Sequence, residues 1–146
     1  MKFIASLFRY WIGFFSRRKA LSPKKRLAKD LFGEEGEKRA AKFLKSMGYK
    51  IIARNVQFSI GEIDLIARID KTIVFVEVKT RHVADFCHPR EVVDKKKCLK
   101  IKQMAKLYYR NKKYSIKRFV IRFDIITLIW PEGKPPKIEH FVDAFR

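Results

Sequence analysis

The stretch "IVFVEVKTR", residues 73–81, decides how this chain folds. Its β-branched and aromatic side chains mark the interior of a buried strand, yet Glu77 and Lys79 stand inside it. Either charge is costly to bury unless something compensates it. Strand alternation puts Ile73, Phe75, Glu77 and Lys79 on one face, with Val74, Val76 and Val78 on the other. Glu77 and Lys79 are then same-face neighbours, their Cα atoms about 6–7 Å apart.

Working outward, "GEIDLIARI" (61–69) precedes this strand across a turn at Asp70 and Lys71, and "YKIIARNV" (49–56) precedes that across Ser59 and Gly61. The three form a strand meander. In the middle strand Glu62 and Asp64 share a face, with Ile63 and Leu65 opposite. Asp64 therefore lies beside Glu77 if the hairpin pairs its acidic faces. Two carboxylates held together repel unless a proton or cation separates them, and such hard oxygen donors suit a magnesium ion bound to phosphate.

Helical periodicity flanks the strands. "GEEGEKRAAKFLKSMGY" (33–49) spaces Ala40, Ala41, Phe43, Leu44 and Met47 as one face, with Gly48 as the stop, and Glu37 aligns with that face. In "VVDKKKCLKIKQMAKLYYRNK" (92–112), Lys97 aligns with Ile101, Met104, Ala105 and Tyr108, whereas Lys96 aligns with Lys100 and Gln103 on a more polar side. A long strand, "RFVIRFDIITLIW" (118–130), follows, and "KIEHFVDAF" (137–145) offers a short final one. The order α-β-β-β-α-β predicts an α/β fold, a mixed β-sheet flanked by helices. Glu37, Asp64, Glu77, Lys79 and Lys97 are expected to converge on one side of that sheet.

Residues 1–16 read as an amphipathic N-terminal helix, with Phe3, Ile4, Leu7, Phe8, Trp11, Ile12 and Phe15 on one side. Arg9 interrupts the apolar run, which is too short to span a bilayer, and no small-residue cleavage site follows. An interfacial helix fits. Residues 17–30 form a basic linker containing Pro23, and 31–146 form the folded domain.

Lys and Arg number 35 against 15 Asp and Glu, a formal charge of +20. That excess favours polyanionic partners, nucleic acid first and anionic lipid second. Cys87 and Cys98 are too few for a disulfide framework and indicate reduced thiols in the cytosol. His82, His88 and His140 are scattered, so no zinc spacing appears.

Asp64 followed by Glu77-Val78-Lys79 resembles the PD-(D/E)XK signature of restriction-endonuclease-like nucleases. More closely, "GEEGEKRAAKFL", "GYKIIARN", "GEIDLIA", "FVEVKTR", "KCLKIKQMAKLYY" and "RFD", in this order, resemble the YraN family, a bacterial group similar to Holliday-junction resolvases. The resemblance covers about residues 30 to 146. Ile63 stands where the superfamily's name has proline, and Cys87 where the family tends to have glycine. It implies a restriction-endonuclease-like core and a metal-dependent endonuclease acting on DNA, with branched or damaged DNA among the candidate substrates, Mg2+ as cofactor and Mn2+ as a substitute. Asp64, Glu77 and the Val78 carbonyl would ligate the metal, Glu37 would hold a second ion or water, and Lys79 would act on the attacking water and the phosphate. Lys97, Lys100, Arg81 and Arg90 would contact the nucleic-acid backbone. A non-catalytic nucleic-acid-binding module of the same fold is the alternative, and an N-terminal anchor at the inner membrane face is compatible with either.

The apolar face from Phe3 to Phe15, backed by Arg17, Arg18 and Lys19, is expected to bind anionic bilayer surfaces. The full-length chain should float with anionic liposomes, and a chain beginning at Leu31 should not. Equal flotation of the two removes the N-terminal helix as the anchor.

Overall fold

The computed structural model describes residues 23–83, 95–112 and 119–146. The helix expected over residues 1–16 lies outside the described residues, as do Cys87, His88 and Arg90. The chain divides into two compact units, Met1–Asp30 and Leu31–Arg146. Of the first, only residues 23–30 are described, and they are helical.

Helix α1 (Pro23–Ser46) begins well before Gly33, where the sequence pattern places its start, and takes in residues assigned to the linker. The cause is local. Proline is well tolerated in a first turn, where its missing N–H has no partner to lose, and Lys24 to Asp30 contains no strong breaker. Gly33 and Gly36 weaken the helix by roughly 1 kcal/mol each relative to alanine but do not end it. The end comes at Gly48, whose φ of 86° closes the last turn. There the Gly48 amide donates to the Lys45 carbonyl at 3.1 Å and the Tyr49 amide to the Leu44 carbonyl at 3.0 Å.

Strands β1 (Lys50–Phe58), β2 (Gly61–Ile69) and β3 (Thr72–His82) form the expected antiparallel meander. Helix α2 (Lys95–Lys112) precedes β4 (Val120–Trp130), which pairs parallel to β3 from Thr72↔Val120 to His82↔Trp130. Strand β5 (Lys137–Phe141) returns antiparallel to β4. The sheet order is β1-β2-β3-β4-β5. This is the mixed-sheet α/β architecture expected from the sequence, with the short final strand present. Among the described residues no helix is long and apolar enough to cross a membrane.

Each sheet face buries one core, and β3 serves both. Val74, Val76 and Val78 pack with Ala40, Ala41 and Leu44 of α1. Ile73 and Phe75 pack with Ile101, Met104, Ala105, Tyr108 and Tyr109 of α2. Lys97 therefore belongs to the α2 layer and Glu37 to the α1 layer. The expectation that all the charged candidates share one side of the sheet is corrected: the two helices cover opposite faces, because the β3–β4 connection through α2 leaves α1 the other face. The alternation expected in β2 also fails at one residue. Ile63, where β2 has not yet joined its ladder with β3, packs in the α2-side core, while Leu65, where that ladder begins, packs in the α1-side core.

Gly36 is where α1 comes closest to β3. A β-carbon there would overlap Thr80 Oγ1 and stand 3.1 Å from Thr80 Cβ. The expected result of Gly36→Ala is a net loss of about 1 kcal/mol, because overpacking costs more than the helix propensity gained. In the same background Thr80→Ala should restore stability above the starting protein, as chemical denaturation would read.

Candidate nuclease-like site

The site forms where β2 and β3 part. Their ladder runs from Ile69↔Thr72 to Leu65↔Val76, so the next facing pair is Asp64 and Glu77. Instead of a strand carbonyl, Asp64 Oδ2 accepts the Val78 amide at 2.7 Å. The carboxylate thus replaces a backbone acceptor and is held beside Glu77. Burial, then the charge of Glu77, pushes the Asp64 carboxyl up to about 7, against the opposing pull of the Val78 amide, Lys97 and Lys79.

Glu77 is only 2% exposed. Its Oε1 is shared by two lysines, Lys79 from the same strand and Lys97 of α2, the latter at 3.1 Å. Its Oε2 is buried with no hydrogen-bond partner among the described residues. A buried carboxylate oxygen left unpaired costs on the order of 1–3 kcal/mol or more, so this atom is the unusual one. Lys79 and Lys97, which cover Oε1, keep 25% and 37% of their side-chain surfaces exposed. Arg81 and Lys100 are exposed on β3 and α2.

Glu37 takes a different position. Its Oε2 accepts a hydrogen bond from Asn55 Nδ2 at 2.6 Å, and burial, joined by the charge of Glu62, raises its carboxyl above the usual range. Asn55 lies between Arg54↔Leu65 and Val56↔Ile63, so it faces Asp64 across the β1–β2 ladder, with a φ of 50° that asparagine tolerates better than most residues. Glu37 therefore reaches the site through Asn55. Among the described residues no three His, Cys, Asp or Glu side chains form a group that could hold a metal ion.

Magnesium is usually held by one or two protein carboxylates, the rest of its shell being water and substrate phosphate. Asp64 and Glu77, with the orphaned Oε2, have the oxygen chemistry for such an ion. Their arrangement does not provide a closed protein cage.

Two residues at the site carry no strong sequence signal. Asn55 is one, in a strand that reads as ordinary. The other is Thr127, which pairs with Lys79 across β3–β4 and whose buried hydroxyl has no hydrogen-bond partner among the described residues. A threonine within an Ile/Leu-rich strand is unremarkable by pattern; only the register brings it to Lys79.

A second charged cluster lies in the α1 layer. Asp124 is fully buried and accepts from Arg122 Nε at 2.9 Å, Arg122 Nη2 at 2.8 Å and the Asp143 amide at 3.0 Å, with His140 Nε2 at 2.8 Å. Burial alone would raise its carboxyl, but the His140, Arg122 and Asp143 hydrogen bonds outweigh it and hold it low. Arg122 also donates to the Tyr49 hydroxyl at 2.7 Å. The cluster ties β4 to β5, to the chain after α1 and to the C-terminal segment. Its sequence signal, Arg122 and Asp124 two apart in an apolar strand, is the same one that marks Glu77 and Lys79.

Fold and site together define an α/β domain with a nuclease-like arrangement of charge: a carboxylate pair and a lysine where two strands diverge. Residues 36–128 match the model of an uncharacterised protein family, UPF0102. A UPF0102 protein of Caldanaerobacter subterraneus subsp. tengcongensis is 42% identical over 123 residues, covering 83% of this chain and 99% of its own. One from Dictyoglomus turgidum is 42% identical over 114 residues, covering 77% and 95%. One from Nocardia farcinica is 38% identical over 117 residues, covering 80% and 91%. The chain belongs to the UPF0102 family, which is the YraN family, with a nuclease-like fold.

The raised Asp64 carboxyl has a consequence for stability in metal-free protein. Its folded value, about 7, lies above its ordinary value of 3.8, so the folded state holds the proton more tightly than the unfolded chain. Stability should therefore fall as pH rises from about 4 to about 7, then level off. Asp64→Asn keeps an acceptor for the Val78 amide and removes the charge. Its stability relative to wild type should grow across that window by on the order of 2 kcal/mol. Denaturation midpoints of both proteins in chelator, from pH 4.5 to 8, read the difference; a constant gap would exclude the effect.

Proposed function

We propose that this protein binds nucleic acid and hydrolyses phosphodiester bonds in DNA as a metal-dependent endonuclease. The observation that carries this reading is the buried Glu77 Oε2, without a hydrogen-bond partner among the described residues, beside the Asp64 carboxylate. A site built only to pair charges would engage both oxygens, as Asp124 does. Asp64 and Glu77 would hold a hydrated Mg2+ or Mn2+, with the Val78 carbonyl completing the protein's share of the ligands. Such an ion supplies positive charge against the scissile phosphate and acidifies water. Lys79 orients the attacking water and balances charge on the phosphate. Lys97, Lys100 and Arg81 contact the backbone of the bound strand without reading its sequence. Glu37 holds Asn55 and adds no third carboxylate to the pair. Residues 1–16, expected from the sequence to be amphipathic, would separately hold the chain to anionic membrane.

A second reading has one observation in its favour: Glu77 Oε1 is already engaged by Lys79 and Lys97, so the site can be a self-neutralised relic on a binding module. Divalent ion separates the two. It should raise the melting temperature of wild type and Lys79→Ala, but not of Glu77→Ala. Cleavage of single-stranded, duplex, flap and four-way DNA, tested with Mg2+ and Mn2+, should fall at least about a hundredfold in both variants, because Lys79 acts on water and phosphate and not as a ligand. Equal metal responses in all three proteins, with no cleavage by any, would establish the binding module instead.

A further inference from the structure

The C-terminal end of β3 carries more than the catalytic candidates. One turn before Gly36, Phe32 of α1 stacks on His82 with ring centroids 4.2 Å apart and planes 7° from parallel. Phe32 also leans on Trp130, centroids 5.1 Å apart, and Trp130 is the β4 residue paired with His82. The Arg39 guanidinium sits 5.3 Å from the centroid of the Trp130 ring. Glu35 fixes Arg39 one turn away through a 2.7 Å bond to its Nε.

Packing of α1 on the sheet explains Trp130 and Phe32, which are half-buried. It does not explain His82, which among the described residues is exposed and is the outer ring of the stack. Arg39, exposed and paired with Glu35, borders the stack through Trp130, whereas Arg81 lies on the other face of β3 by strand alternation. A stacked pair of rings whose outer member is exposed has the chemistry that takes a nucleobase, since every base offers a π-face.

The place on the strand narrows the ligand further. His82 is three residues beyond Lys79, about 10 Å along the strand, or roughly three steps of a stacked nucleic-acid strand. Alternation puts the two on opposite faces of β3: Lys79 on the α2 side and His82 on the α1 side, as Gly36 against Thr80 confirms for the even-numbered positions. A strand touching both must bend round the end of β3. A duplex keeps its bases paired and stacked, whereas a single strand can offer an unstacked base to His82.

We propose that Phe32, His82 and Trp130 form a stacking platform for an unpaired nucleobase of single-stranded DNA, next to the site at Asp64, Glu77 and Lys79. This rests on the reading of that site as one that binds DNA, and it makes the substrate a strand that is single-stranded or locally unpaired near the point of cleavage. The platform is a binding surface, and none of its residues acts on the reacting phosphate.

The test uses the full-length chain with Trp11→Phe, so that Trp130 is the sole tryptophan, in chelator so that no cleavage occurs. Binding is read by anisotropy of labelled DNA and stacking by Trp130 fluorescence. A single-stranded oligonucleotide should quench Trp130 and a duplex of the same sequence should not. His82→Ala, a change at an exposed position, should weaken single-strand binding about tenfold, the loss of one base–aromatic stack, and duplex binding less than twofold. Equal quenching by both DNAs, absence of quenching by bound single strand, or equal loss of both affinities in His82→Ala would overturn the platform. Acrylamide quenching of the free protein supplies an independent check: a Trp130 shielded as fully as a core tryptophan would mean that another part of the chain covers the platform, which also overturns it. Loss of binding to both DNAs at every salt concentration would instead overturn the DNA-binding reading and this inference with it.

Discussion

The hydrogen bond from the Val78 amide to the Asp64 carboxylate holds the site together. Past Leu65 and Val76 the two strands no longer exchange backbone bonds, and a side chain takes the place of a carbonyl. Had an apolar residue stood at 64, the Val78 amide would have needed another acceptor at the edge of a buried core, where an unmade bond costs on the order of 1–3 kcal/mol. Because the acceptor is charged, the same bond that finishes the sheet also holds one carboxylate against a second. Burial and the charge of Glu77 then raise the Asp64 carboxyl to about 7, so sheet closure and site electrostatics are one event.

Two buried acids in this molecule show how the same residue chemistry serves different ends. Asp124 has both oxygens engaged, by Arg122, the Asp143 amide and His140, and the network ties separate parts of the fold to β4. Glu77 has one oxygen engaged twice and the other not at all among the described residues. Breaking a saturated buried pair costs roughly 3–5 kcal/mol and gains nothing, which is the behaviour of a structural tie. A half-saturated one carries an unmade bond instead, which costs on the order of 1–3 kcal/mol.

The parallel pairing of β3 with β4 sends both strands out of the core at the same end. Lys79 beside Thr127, and His82 beside Trp130, are same-register pairs three residues apart at that end. Parallel strands joined through a helix characteristically place ligands outside their carboxyl ends, where neither face is sealed by packing. The two layers contribute separately here: α2 brings Lys97 to Glu77, and α1 brings Phe32 and Arg39 to the aromatic stack. Gly36 lets α1 come close enough to Thr80 for that.

Local periodicity determined much of this. Alternation alone placed Glu77 and Lys79 opposite the three valines, and helical phase turned Lys97 toward the core; both are properties of one element read along its length, and tertiary packing respects them. The pairing of Asp64 with Glu77 was legible because a tight turn at Asp70 and Lys71 leaves little freedom in register. What the tertiary structure alone decided are the relations between elements. Glu37 looks equivalent to Lys97 by helical phase, yet belongs to the opposite layer, since nothing within a helix says which sheet face it will cover. Asn55 and Thr127 came to the candidate site only through strand pairing, and Asp124 found two of its three partner residues, His140 and Asp143, in segments distant in sequence. The start of α1 at Pro23 and the departure of β2 at Asp64 depend on where neighbouring backbone groups find partners, a condition satisfied in space and not written in any one stretch of sequence.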